Sequence, residues 1–248
     1  MCVIFLAWQP GPARRLVVAA NRDEFRARAS APLGPWPERA DVIGGRDRVE
    51  HGSWLAVRPD GRFAAVTNFR RPPLTQGARS RGALVRDAIL SDDPLDAIVA
   101  RVWADRDAYG GFHLLLGDGE RMVHLSNREA AIRELKPGVH AVSNGPIDQR
   151  WPKMRRGDDT LARALDADRV DEDALFALLS DRTPAPDDAL PDTGVGIDLE
   201  RMLSPVFIEG EAYGTRASTV LTLGPSSLRV RERRFGAAGL EGETVIER

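Results

Sequence analysis

Short apolar runs that arrive in pairs, each pair joined by a few Gly, Pro, Asp or Ser residues, constrain this 248-residue chain more than any other feature. Residues 2–8 and 16–20 flank Gln9-Pro10-Gly11-Pro12, and residues 54–58 and 63–68 flank Pro59-Asp60-Gly61. Residues 112–116 and 122–125 flank Asp118-Gly119, and residues 217–223 and 228–234 flank Gly224-Pro225-Ser226. Strands joined this tightly run antiparallel, because a parallel connection needs a dozen or more residues. One further strand, 139–143, stops at Asn144-Gly145-Pro146. Helical spacing appears in two blocks. Within 80–106, Leu84, Val85 and Ile89, then Leu95, Ile98, Val99 and Val102, recur on one face, and Asp92-Asp93-Pro94 divides the block into two helices. Residues 151–181 return to helix with an Asp- and Arg-rich outer face. Residues 29–52, rich in Pro, Gly and charge, are expected to form a long loop, and 182–196 a surface loop or lid. The stretches 26–52 and 182–200 are expected to shape the mouth of any cleft. Strand and helix blocks are segregated, which argues for an α+β protein with antiparallel sheets and against a doubly wound parallel one. Two sheets stacked face to face, with helix layers outside, bury this many strands, so residues 1–248 are read as one domain.

Composition narrows the function classes. Hydrophobic residues make up 42% of the chain and charged residues 29%, which suits a globular core. The net charge of −2, with acids and bases mixed along the chain, provides no field that draws nucleic acid or an anionic membrane. Apolar runs end after a handful of residues and no charged segment precedes the first, so neither a membrane span nor a signal peptide is expected, and the cytoplasm is the expected compartment. No Gly-rich phosphate loop, G-x-S-x-G elbow, H-E-x-x-H or C-x-x-C-H motif occurs. A single cysteine excludes an intramolecular disulfide and a Cys-based zinc site, and no metal site is expected.

That cysteine is Cys2, behind Met1 alone. Removal of the initiator before a small residue would leave a thiol and a free α-amine on the first residue. The amine titrates near pH ~8 and the thiol near ~8.5, so the amine can accept the thiol's proton. One residue then supplies nucleophile and base. The alternative is a small buried hydrophobe in the first strand. Of the four histidines (His51, His113, His124 and His140), the last three lie in apolar strand-like runs and read as core residues, so none presents itself as a partner base.

Four polar sites stand where the expected strands end. Asn21-Arg22-Asp23-Glu24 follows the partner strand of Cys2, Asn68 closes Val66-Thr67-Asn68, Asn144 closes Val142-Ser143-Asn144, and Arg216 opens a strand. Acyl transfer needs a nucleophile, a base, an oxyanion donor and charges that orient them. An Asn amide can donate to an oxyanion, and Arg22 can lower a thiol pKa. Adjacent residues of a strand face opposite ways, so Arg22 and Asp23 cannot both face the thiol unless the strand has ended or bulged; Asn21 and Asp23 could share that face instead.

The ordered set Met1-Cys2, Asn21-Arg22-Asp23-Glu24, Thr67-Asn68-Phe69, Ser143-Asn144-Gly145-Pro146 with Trp151-Pro152-Lys153, and Tyr213-Gly214-Thr215-Arg216 resembles the NRDE family, also called the transport-and-Golgi-organisation protein 2 family. More remotely the pattern is similar to the choloylglycine hydrolase and penicillin V acylase group. That resemblance implies an N-terminal nucleophile hydrolase fold, a four-layer αββα sandwich of two antiparallel sheets. It also implies roles: Cys2 as nucleophile, Asp23 orienting its amine, Asn144 holding the amine and acyl region, Asn68 in the oxyanion hole and Arg216 steadying the developing charge. Arg22 maps less cleanly, since that group separates its Arg and Asp by two residues. The reading that follows is an amidohydrolase or acyltransferase acting on a non-peptide C–N or thioester bond, needing no cofactor. The alternative implied by the family is a haem- or lipid/acyl-CoA-handling protein using the same cleft, with haem as bound ligand and Cys2, a histidine or Met202 as iron ligand.

Overall fold

The computed structural model describes residues 2–11, 15–72, 77–166 and 169–248. Met1 and residues 12–14, part of the first expected turn, lie outside it. Among the described residues, thirteen strands form two antiparallel sheets. The first contains β1 (Cys2–Gln9), β2 (Arg15–Phe25), β10 (Gly138–Val142), β11 (Tyr213–Leu223), β12 (Leu228–Gly236) and β13 (Gly239–Glu247), in the order β10-β1-β2-β11-β12-β13. The second runs in sequence order through β3 (Ser30–Trp36), β4 (Arg39–Asp47), β5 (Leu55–Val57), β6 (Arg62–Asn68), β7 (Phe112–Asp118), β8 (Met122–Ser126) and β9 (Ala131–Glu134).

Period-2 alternation assigns the faces. On β1, Ile4, Leu6 and Trp8 enter a core shared with Leu55, Phe63 and Leu115 of the second sheet, whereas Val3, Phe5 and Ala7 enter a core with Leu161, Leu175 and Phe176. The latter three belong to α4 (Asp158–Asp166) and α5 (Glu172–Leu179), which follow the short α3 (Pro152–Arg155). The outer face of the second sheet packs Val42, Ala64 and Leu114 against Leu84, Ile89, Leu95 and Ile98. Those come from α1 (Arg81–Leu90) and α2 (Leu95–Ala104). Three cores therefore separate four layers, αββα, as expected. Strands buried on both faces read as unbroken apolar runs, which is why residues 3–8 show no polar alternation.

Several elements differ from the sequence expectation, β9 among them, where no strand was expected. Residues 29–52 are not a loop: they form β3 and β4, with Leu33 and Ile43 in the inter-sheet core and Trp36 and Val42 under the helices. Register shifts between Ala31 and Gly34 and between Pro35 and Trp36 interrupt the alternation that would reveal a strand. The tetrad 21–24 does not follow a strand but lies inside β2, which runs to Phe25. Finally, β13 adds an edge strand whose half-exposed, Glu-bearing pattern gave no apolar signal. Residues 182–196 are irregular apart from one short turn of helix, as expected, and α6 (Ile197–Met202) follows. Among the described residues, no helix is long and apolar enough to cross a membrane.

Candidate active site

At one end of the inter-sheet layer the apolar packing gives way to a cleft of about 280 Å³. The start of β1, the end of β2, the end of β6, the Asp47–Trp54 turn and the N-terminus of α1 meet there. Cys2, Arg22, Asp23 and Asn68 all line it, so four of the six candidate residues come together.

Cys2 and Arg22 are direct register partners across β1 and β2. Arg22 also has the parity of Val18 and Ala20, the inter-sheet face that Cys2 shares with Ile4. Its guanidinium lies over the Trp54 ring at 4.2 Å, a cation–π contact that helps hold a side chain only 6% exposed. Asn21 faces the other way: its amide donates to the carbonyls of Leu179 and Val206 at 2.8 and 2.9 Å, and its Oδ1 accepts from Ser218 Oγ. Of the two alternatives for that strand, Arg22 is the residue on the thiol's face and Asn21 is tied to the helix layer. Asp23 lies one position beyond and still lines the cleft. Thr215 Oγ1 donates to Asp23 Oδ1 at 2.7 Å, and Tyr213 Oη donates to the Asp23 carbonyl at 3.2 Å.

β2 neither ends nor bulges between Arg22 and Asp23; the register shift sits on the neighbouring strand, β11. Thr215 pairs with Asp23 and Ala217 with Arg22, leaving Arg216 as the extra residue of β11. Its guanidinium donates to the carbonyls of Phe25, Arg26 and Arg28 at 3.1, 2.9 and 3.2 Å. Arg216 thus stands behind Arg22 and fixes the chain leaving β2; it is not among the residues lining the cleft with Cys2.

Asn144 is fully buried. Its Nδ2 donates to the Asn68 carbonyl at 2.8 Å, and its own carbonyl accepts from the Arg70 N–H at 2.6 Å. Ser143 Oγ donates to the Cys2 carbonyl at 3.1 Å, while Thr67 Oγ1 donates to the Ser143 carbonyl at 2.5 Å. The Ser143-Asn144 pair therefore ties the start of β1 to the end of β6 and sets Asn68 at the rim.

Electrostatics distinguish this end of the layer. Burial pushes the Cys2 thiol up, and the Asp23 carboxylate adds to that, while the Asp23 backbone N–H and Arg22 oppose it. Burial raises Asp23 to about 6, against Lys153 and the Thr215 hydrogen bond. Lys153, only 3% exposed, donates from Nζ to the Leu203 carbonyl at 2.9 Å; burial lowers it to about 8, with Asp23 and Cys2 pulling the other way. Perturbed acids and bases facing one nucleophile are a feature of catalytic sites. Lys153, one of two lysines in the chain, carried a sequence signal through Trp151-Pro152-Lys153 but no assigned role. Arg81 and Trp54, which also line the cleft, carried none.

The stretch 26–52 contributes Arg28, Asp47 and Glu50 to the cleft, as expected, whereas none of the described lining residues comes from 182–200. That segment is pinned elsewhere, by a buried Arg70–Glu200 ion pair at 2.9 Å. Met202 is exposed on α6, and no histidine is among the residues lining the cleft. His113 and His124 are core residues as expected, hydrogen-bonded to each other at 3.0 Å, and burial lowers them to about 3 and about 4. With Glu129 they bring three metal-type ligand atoms within 4.8 Å of one another, a grouping away from the cleft that the sequence reading did not foresee.

Comparison with known proteins agrees with this geometry. A family model described as transport and Golgi organisation 2 matches residues 1–236. A transport and Golgi organization protein 2 homolog of Bos taurus is 32% identical over 242 residues, covering 89% of this chain and 88% of that protein. The Homo sapiens homolog is 32% identical over 243 residues with the same coverage, and the Drosophila melanogaster protein 27% over 250, covering 89% and 87%. Among solved structures, a Caenorhabditis elegans N-acylethanolamine-hydrolyzing acid amidase ortholog superposes with TM-score 0.51 at 14% identity, covering 89% of this chain and 92% of its own. The C2A mutant of conjugated bile acid hydrolase from Clostridium perfringens superposes with TM-score 0.54 at 7% identity, covering 98% and 92%. At identities that low the likeness shows a shared fold alone. The chain itself belongs to the transport and Golgi organisation 2 family.

Proposed function

We propose that this protein is an N-terminal cysteine amidohydrolase or acyltransferase, acting in the cytoplasm on a non-peptide C–N or thioester bond. The observation that carries the reading is Cys2 on the floor of a cleft, with Arg22 directly across the β1–β2 pair and Asp23 beside it. The fold shared with an acid amidase and a bile acid hydrolase supports it.

Burial pushes the Cys2 thiol up while the Asp23 N–H and Arg22 oppose it, so its proton has to be taken up for attack. Attack therefore needs a base, and after removal of Met1 the α-amine of Cys2 is the nearest one. Sγ attacks the substrate carbonyl as the amine takes the thiol proton. The C–N or C–S bond then breaks, and the same proton passes to the leaving amine or thiol. Water, or an acceptor amine or alcohol, attacks the acyl-thioester and releases Cys2. Asp23 orients the ammonium that forms, Arg22 faces the thiolate, and Asn68 at the rim donates to the oxyanion, a contribution on the order of 10²–10³ in rate for one such donor. Asn144 acts through Asn68 and Arg216 through the segment after β2, both as positioning residues.

Incubating the purified protein with short N-acyl amides and acyl thioesters, then measuring intact mass, tests this. The reading expects an acyl adduct on Cys2 that is absent in Cys2→Ser; turnover that persists in Cys2→Ser removes it. The alternative, a haem- or acyl-CoA-handling protein, is less well supported. The cleft falls just below the usual range of ligand-pocket volumes and is lined more by polar and charged groups than by apolar ones. Haem titration separates the two: a saturable Soret shift lost in Cys2→Ser but kept in Asp23→Asn favours ligation over catalysis.

A further inference from the structure

Four arginines and four acids, Asp23, Glu24, Asp47 and Glu50, line the cleft, but they are not matched pair by pair. Arg28 is paired with Asp47 at 2.5 Å and Glu24 at 3.8 Å, and Arg79 with Asp87 and Asp105 at 3.1 and 3.0 Å. Two guanidiniums remain, on Arg22 and Arg81. Among the described residues neither forms an ion pair with a carboxylate. Arg22 has the Trp54 ring and a 3.4 Å contact to Ser30 Oγ, and Arg81 has one 3.5 Å contact to the Gly111 carbonyl. Glu24 is the acid with most influence on both, but its carboxylate already accepts the Phe25 N–H and faces Arg28.

Arg81 also sits against a local preference. It occupies the first turn of α1, where the helix dipole and free N–H groups favour an acid, and that turn contains no acid. Ser80 caps the helix by accepting from the Gly82 N–H, so the cation is not needed there for helix stability. Arg22 is buried and Arg81 half-buried, and both lie within electrostatic reach of Cys2. A residue that breaks a local rule with no offset inside the protein marks a functional contact. An anion between the two arginines would supply the missing offset.

We propose that the part of the cleft between Arg22 and Arg81 is an anion subsite, and that the molecule acted on at Cys2 carries a carboxylate or phosphate beside the bond presented to the thiol. This rests on Cys2 being the reacting group. Among the described residues, Trp54 and Val66 are the large apolar side chains lining the cleft, so a compact anionic substrate fits it better than a long alkyl chain.

Iodoacetamide and iodoacetate, alkylating reagents of similar size that differ by one negative charge, test the proposal. Rates of Cys2 alkylation by each are referred to those of a short peptide beginning with cysteine. The wild-type iodoacetate-to-iodoacetamide ratio is expected to exceed the peptide ratio by about tenfold. Arg81→Gln is expected to lower the iodoacetate rate several-fold more than the iodoacetamide rate, and Arg81→Lys to restore part of the ratio. A wild-type ratio equal to the peptide's, or one unchanged by Arg81→Gln, overturns the subsite and leaves the catalytic reading standing. If Arg81→Gln fails to fold, wild-type protection decides. Inorganic phosphate or acetate at matched ionic strength should slow iodoacetamide labelling, the more protective ion naming the group; protection by neither overturns the proposal. A Cys2 that reacts with neither reagent removes the catalytic reading and this inference together.

Discussion

The two ends of the inter-sheet layer are built from the same strands and obey opposite rules. Toward the Trp8 end, β1 and β2 contribute Ile4, Leu6, Trp8, Leu16 and Val18 to an apolar core. Burial there stabilises at roughly 25 cal/mol per Å². At the other end the same alternation delivers Cys2 and Arg22 inward, with Asp23, Asn144 and Lys153 buried alongside. These groups are hydrogen-bonded, yet burial shifts the pKa of Cys2, Asp23 and Lys153 toward the neutral form. The fold thus carries an energetic cost at one end of a layer whose other end is apolar. That contrast separates residues kept for packing from residues kept for chemistry.

Substitutions at the two ends should therefore fail differently. Cys2→Ser should abolish turnover and acyl-adduct formation while leaving the thermal midpoint nearly unchanged; a large loss of midpoint instead would assign Cys2 to packing. Phe5→Ala, three residues along the same strand, should cost about 3–5 kcal/mol of unfolding free energy in denaturant titrations, because Phe5 is enclosed under α4 and packs where Gly157 leaves no room for a Cβ. The rate of Cys2 alkylation in the remaining folded protein should not change.

The pH dependence of stability should show opposite slopes from two groups of the polar end. The folded Asp23 pKa of about 6 exceeds its unfolded value, so between pH ~4 and 6 the folded chain holds a proton that the unfolded chain has lost. Stability from this group falls as pH rises through that window, by at most about 1.4 kcal/mol per pH unit. Asp23→Asn should remove that fall and lose activity in the same protein. Lys153 behaves in reverse. Its folded pKa of about 8 lies below the unfolded value, so from pH ~8 to 10.4 the unfolded chain binds the extra proton and stability rises with pH. Lys153→Met should flatten that rise, a smaller effect because few measurements reach far into that window before other groups titrate. Equal slopes in wild type and variant would contradict the burial argument for either residue.

The same contrast explains what could be read from sequence. The apolar end announces itself: the β5–β6 hairpin turns at Gly61, whose φ of 106° is glycine's conformation, and Asp92-Asp93-Pro94 separates α1 from α2 as the pattern requires. Strands β3 and β4 did not, since bulges break their alternation and Pro and Gly occupy the positions that would carry it. At the polar end, Cys2, Arg22, Asp23 and Asn68 were legible because each stands where an apolar run of the sequence begins or stops, and the family pattern joined them. Arg216 and Asn144 were legible as site residues, but their contacts show them supporting neighbours. Lys153 and Arg81 were not legible, because a buried lysine and an unpaired arginine acquire meaning only once distant elements converge.

One measurement bears on the central claim most directly: intact mass of the purified protein before and after brief treatment with iodoacetamide, with the adduct mapped by fragmentation. The account predicts a chain that has lost Met1 and carries one carbamidomethyl group, on Cys2. A chain that keeps Met1, or a Cys2 that takes up no adduct, contradicts it.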